Sequence, residues 1–116
     1  MPNILVINGP NLNLLGTREP EVYGDKSLDQ INQELTDIAA ENDCFLEACQ
    51  SNSESELVNI IQKKSETTDY MIFNPGAFTH TSIALRDVIL AVDVPFIEVH
   101  ISNIFSREEF RKKSYF

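Results

Sequence analysis

Tryptophan is absent, and histidine and cysteine each occur only twice among 116 residues. Each shortage excludes something. Cys44 and Cys49 on one extended strand would lie about 16 Å apart and point to opposite faces, too far for a disulfide. They are expected to be buried thiols, and nothing in their spacing resembles a zinc framework. Basic residues are also short, nine against eighteen acidic ones, for a formal charge of −9. That balance repels nucleic acid and anionic membrane. A small anionic substrate stays allowed, because a few local arginines and backbone N–H groups outweigh distant charge that salt screens within about 8 Å. No apolar run is long enough to span a bilayer, and neither a basic leader nor a cleavage site precedes Ile4-Leu5-Val6-Ile7, so the expected location is cytoplasmic.

What is present is a globular composition, 42% hydrophobic and 23% charged, which excludes disorder and fibrous repeats. The length suits one domain spanning residues 1–116. Ile4 to Ile7 is a short β-branched run that stops at the turn formers Asn8-Gly9-Pro10-Asn11, which predicts a buried strand. Ser27-Leu28-Asp29-Gln30 has the form of a capping box, and Leu28, Ile31, Leu35, Ile38 and Ala39 follow at helical spacing, predicting a helix from Leu28 to Glu41. Phe45 to Cys49 is a second strand. Ser53-Glu54-Ser55-Glu56 is a second capping box, opening a helix with Leu57, Ile60 and Ile61 on its apolar face and Lys63 and Lys64 at its end.

A third strand, Tyr70 to Phe73, halts at Asn74-Pro75-Gly76. A helix over Ile83 to Val92 and a fourth strand, Phe96 to Val99, follow. Ser106 to Arg111 has the pattern of a short surface helix. Four strand–helix alternations without a repeat predict parallel strands joined by right-handed crossovers, a doubly wound α/β fold with helices on both faces.

In such a sheet ligands bind beyond the carboxyl ends of the strands, where neighbouring connections leave on opposite faces. This selects the loops after the first, third and fourth strands, which begin at Asn8, Asn74 and His100. Taken singly, each is ordinary turn chemistry. Together with a connection running from Gly9 to Gly24, far longer than the usual two to six residues, they point to a crevice closed by a hinged flap. The flap carries Arg18, Glu19, Glu21 and Tyr23. Both histidines, His80 and His100, fall in crevice loops, although His80 could equally cap the helix that begins near Thr81. Glu98, two residues before His100 on one side of the strand, could fix its tautomer. No glycine-rich phosphate loop or zinc spacing occurs, so no cofactor is expected. A metal held by His80, His100 and Glu98 or Asp87 ranks below metal-free catalysis. Arg107 and Arg111, four apart, alone fit an exposed helix face. A phospho-receiver is disfavoured because Asn8 stands where it would place an acid.

The chain resembles the type II dehydroquinases over nearly its whole length. The matching words are Asn8-Gly9-Pro10-Asn11-Leu12, Gly16-Thr17-Arg18-Glu19-Pro20, Tyr23-Gly24, Gln50-Ser51-Asn52, Asn74 to Ser82, Ala84 to Asp87, Ile97 to Asn103 and Arg107 to Arg111. The resemblance implies a flavodoxin-like fold and the removal of water from 3-dehydroquinate, in aromatic biosynthesis or quinate breakdown. It implies that Tyr23 abstracts the proton beside the ketone, Arg18 supports the phenolate, Asn11 stabilises the enolate, and His100 protonates the departing hydroxyl. It further implies a carboxylate site at Asn74 and the backbone of Ile101 and Ser102, with His80 and Arg111 on substrate hydroxyls. Asp87 would reach in from a neighbouring subunit of trimers that form a dodecamer. The family's last strand and helix, beyond Ser114-Tyr115, are lacking here. A catalytically impaired ligand-binding or assembly subunit is the alternative.

Overall fold

The computed structural model describes residues 1–17, 21, 24–101, 110 and 113–116. Within them lie β1 (Asn3–Asn8), α1 (Leu28–Glu41), β2 (Phe45–Gln50), α2 (Glu54–Lys64), β3 (Tyr70–Asn74), α3 (Ile83–Val92) and β4 (Phe96–Glu98). Short 3₁₀ turns occupy Leu12–Leu14, Ser65–Thr67 and Gly76–His80. The surface helix expected over Ser106 to Arg111 falls largely outside the described residues. No helix among those described is long and apolar enough to cross a membrane.

The caps explain why the helices start where they do. Ser27 Oγ accepts from the Gln30 N–H while Gln30 Oε1 accepts from the Ser27 N–H, so α1 begins with both halves of its capping box. At α2 only one half forms. Ser53 Oγ accepts from the Glu56 N–H, but the Ser53 N–H donates to Ser51 Oγ at 2.9 Å and leaves nothing for Glu56 to take back. Ser82 caps α3 by accepting from the Leu85 N–H at 3.0 Å. His80 is therefore not the cap.

The sheet is parallel throughout, in the order β2-β1-β3-β4. This is the doubly wound, flavodoxin-like arrangement, in which the connections from β1 and β3 diverge at the centre of the sheet. Side chains alternate across it. Leu5, Ile7, Met71 and Phe73 face α2 and α3, where Leu57, Ile61, Leu85, Val88 and Ile89 complete a core of buried residues. The opposite face is looser. Val6, Ile72 and Val99 meet Leu28, Ile31 and Leu35 of α1 around a cavity of about 110 Å³. Of the apolar residues at helical spacing along α1, only Ala39 is fully buried, and Ile38 is 54% exposed. The cause is lateral: α1 packs chiefly on β2, so its stripe is not covered across its full width.

Gly9 fixes the join between the two central loops. A Cβ there would stand 2.2 Å from the Pro75 carbonyl oxygen, and its N–H donates to Asn74 O at 2.8 Å. Neither backbone can retreat without breaking the pairing of Asn8 with Asn74. Gly9→Ala is expected to lower stability by about 1–3 kcal/mol, seen as an earlier urea midpoint. An unchanged midpoint would contradict this packing.

Both thiols are free and half-buried. Burial, with Glu47 adding to it, pushes the Cys49 thiol up to about 11. A raised pKa means the fold prefers the neutral thiol. The stability Cys49 contributes is present below its unfolded pKa near 9 and is lost as pH rises towards 11. Iodoacetamide at pH 9 should therefore modify Cys49 far faster in the urea-unfolded chain than in the folded one. Equal rates by mass spectrometry would exclude a desolvated thiol.

Candidate active site

Four parallel strands place all their carboxyl ends on one edge, and the register aligns them. Asn8 pairs with Gln50 on one side and with Asn74 on the other, while Phe73 pairs with Glu98. The loops after β1 and β3 touch at Gly9–Pro75 and at Gly76–Pro10. Asn11, Asn74, His80, His100 and Ile101 are therefore all carried by connections leaving this edge.

Each of these is presented differently. Asn11 begins the turn Leu12–Leu14 with φ 67° and ψ −2°, and its side-chain amide has no hydrogen bond among the described residues. Asn74 is buried, and its Oδ1 accepts from the Gly76 N–H, which leaves both Nδ2 protons to donate. That donor pair suits an anionic group. Pro75 and Gly76 lead directly into the turn Gly76–His80.

His80 Nδ1 lies 2.6 Å from the Lys113 carbonyl oxygen. A carbonyl only accepts, so Nδ1 carries the proton and Nε2 of the neutral ring is an acceptor. The Tyr115 N–H donates to Thr79 O at 2.9 Å and the Phe116 ring packs 5.2 Å from that of Phe73, so residues 113–116 are bound along this turn. His100 Nε2 is bonded to Glu98 Oε2, both side chains being about four-fifths buried. The carboxylate again only accepts, so Nε2 holds a proton and the other ring nitrogen, Nδ1, is left for a reacting group. Glu98 thus fixes the tautomer, as its spacing predicted.

Arg18, Tyr23, Ser102 and Arg111 lie outside the described residues. Gly16 and Gly24, which bracket the first two, both have positive φ, 91° and 85°. Asp87 does not join the described site residues: it is on the solvent-exposed side of α3, without a bond to any of them. Among the described residues no three His, Cys, Asp or Glu side chains are grouped to hold a metal ion.

Selection of loops by the switch-point rule missed the end of β2. Gln50 Nε2 donates to Gly9 O at 3.1 Å and to Asn52 Oδ1 at 3.2 Å, and Asn52 Oδ1 accepts the Asn11 N–H at 2.9 Å. The one signal that marked them was the word Gln50-Ser51-Asn52.

A family model described as Dehydroquinase class II matches residues 2–116. The 3-dehydroquinate dehydratase of Prochlorococcus marinus strain MIT 9301 is 56% identical over 115 residues, which are 99% of this chain and 78% of that protein. The enzyme of the same name from Polynucleobacter asymbioticus is 60% identical over 114 residues, covering 97% of this chain and 76% of its own length. Among solved structures, the type II dehydroquinase of Butyrivibrio crossotus superposes with a TM-score of 0.95 at 43% identity, over 97% of this chain and 79% of that one.

Proposed function

The chain belongs to the class II dehydroquinase family and is a hydro-lyase acting on 3-dehydroquinate, and we propose that it does so by anti elimination with Tyr23 as base and His100 as acid. The observation carrying this reading is the His100–Glu98 pair at the end of β4. A largely buried imidazole whose Nε2 proton is tied to a carboxylate can hold a second proton on Nδ1 and give it to a leaving hydroxyl.

The substrate's carboxylate would sit on the free Nδ2 protons of Asn74 and on the backbone N–H groups of Ile101 and Ser102. Tyr23, brought in on the flap and supported by Arg18, would remove the proton from the carbon beside the ketone. The enolate oxygen so formed needs a donor, and the unengaged amide of Asn11 supplies one. His80, an acceptor at Nε2, would accept a hydrogen bond from one substrate hydroxyl, with Arg111 donating to another. In an anti elimination the hydrogen and the hydroxyl leave in opposite directions, which calls for Tyr23 and His100 to act from opposite sides of the substrate. No step calls on a metal or a nucleotide.

The test is direct. Protein treated with EDTA and mixed with 3-dehydroquinate should produce the conjugated enone of 3-dehydroshikimate, seen as growing ultraviolet absorbance. Saturable binding of substrate without absorbance growth would select the impaired ligand-binding subunit instead.

Asp87 enters through assembly. Its exposure on α3 fits a contact made across a subunit boundary, in trimers that build a dodecamer. Asp87→Ala and Tyr23→Phe should each lose activity alone, and mixed after dissociation and reassociation they should regain part of it. The hybrid site then has Tyr23 from one subunit and Asp87 from the other. Failure to complement, with reassembly confirmed by solution mass, would place Asp87 in its own subunit's site or in none.

A further inference from the structure

Among the described crevice residues, Asn11 is the one non-glycine whose backbone lies in the left-handed region, at φ 67°. Asparagine visits that region more readily than most residues, but does not settle there without local support. The support comes from the end of β2, in a chain of amide hydrogen bonds. The Asn11 N–H donates to Asn52 Oδ1 at 2.9 Å, and the same oxygen accepts Gln50 Nε2 at 3.2 Å. Gln50 Nε2 also reaches Gly9 O at 3.1 Å and Asn13 Oδ1 at 3.5 Å, so one amide group grips the loop on both sides of Asn11.

The grip is itself anchored. Gln50 is held in register with Asn8, the Ser51 N–H donates to Asn8 O at 3.1 Å, and Ser51 is buried. Ser53, on the other side of Asn52, donates to Ser51 Oγ and caps α2. Asn52 is therefore fixed by neighbours that do not depend on Asn11. By contrast, nothing among the described residues holds the Asn11 side chain, so its direction is set by its own φ and ψ. A change of φ from the left-handed to the ordinary region would swing its Cβ, and with it the amide, away from its present direction.

We propose that Asn52, oriented by Gln50, is a positioning residue for the dehydration: it holds Asn11 in the left-handed conformation that aims its amide at the enolate oxygen. The inference rests on the function proposed above. It requires an acceptor at residue 52 and not a particular charge, since Asp would offer an oxygen to the same two N–H donors. In this role Gln50 and Asn52 act through Asn11 and not by touching substrate.

The experiment is a double-mutant cycle on kcat and KM, with melting temperature recorded for every variant. Asn52→Ala is expected to lower kcat roughly 10- to 100-fold with KM changed by no more than about 3-fold, the scale on which small misplacements act. Asn52→Asp should stay within about 3-fold of the unaltered protein. Asn11→Ala should lower kcat at least as far as Asn52→Ala, and adding Asn52→Ala to Asn11→Ala should cause little further loss, because the group being aimed is gone. Full additivity of the two losses, or an Asn52→Ala protein with unaltered kcat, would overturn the inference while leaving the proposed function standing. An unaltered protein without turnover would overturn that function and the inference with it.

Discussion

Tyr23→Phe is expected to lower kcat by on the order of 10³- to 10⁴-fold while leaving KM within a few-fold, the upper range of what a positioned base contributes. The substitution removes one oxygen, which is the whole of the proposed base, and keeps the ring. A free tyrosine with a pKa of about 10 is only about a thousandth ionised at pH 7, which costs about 4 kcal/mol at 1.36 kcal/mol per unit. An unassisted phenol would therefore be a poor base. A guanidinium within about 4–6 Å typically lowers such a pKa by roughly one to three units, so Arg18 can offset a large part of that cost. Arg18→Ala should then reduce turnover by about 10- to 10³-fold, less than Tyr23→Phe, again with affinity largely kept. The ordering matters more than either size. Unchanged turnover in Arg18→Ala would show that the phenolate is made by something else.

His100→Gln is expected to lower kcat by roughly 10²- to 10⁴-fold, because Gln keeps a polar group near the leaving hydroxyl but has no transferable proton. Glu98→Gln is the more discriminating change. It retains an oxygen to accept the Nε2 proton of His100, and removes the negative charge beside the ring. Its loss should be smaller than that of His100→Gln. In the double variant, Glu98→Gln should add little to His100→Gln, since the two act as one unit. Additive losses would mean that Glu98 serves the fold or the substrate directly and not the acid.

The sequence announced its helices more clearly than the site's support. Ser27 with Gln30 and Ser53 with Glu56 marked two helix starts, because capping is a relation over three residues. Even there the Glu56 half failed, since Ser51 took the donor that Glu56 needed. The burial of α1 was less legible. Periodicity says which residues share a face but not how much of that face the sheet covers, so the exposure of Ile38 could not be read from it. His80 and His100 were found because the end of a parallel strand is a recognisable place for chemistry. The work each nitrogen does was not, because the bond from His80 to Lys113 spans 33 residues. Gln50 and Asn52 escaped for the same reason: their bonds to the first loop span up to 41 residues and follow no local pattern. Arg18, Tyr23, Ser102 and Arg111 rest on the matching words alone.

The central claim is that base and acid face each other across the substrate, and stereochemistry tests it most directly. 3-Dehydroquinate carrying deuterium at one or the other of the two positions beside the ketone that can be lost would be turned over, and the product weighed. The account predicts loss of the hydrogen anti to the departing hydroxyl, with a slowed rate when that position is deuterated. Loss of the syn hydrogen, or random loss from both positions during turnover, would contradict a tyrosine and a histidine working from opposite sides.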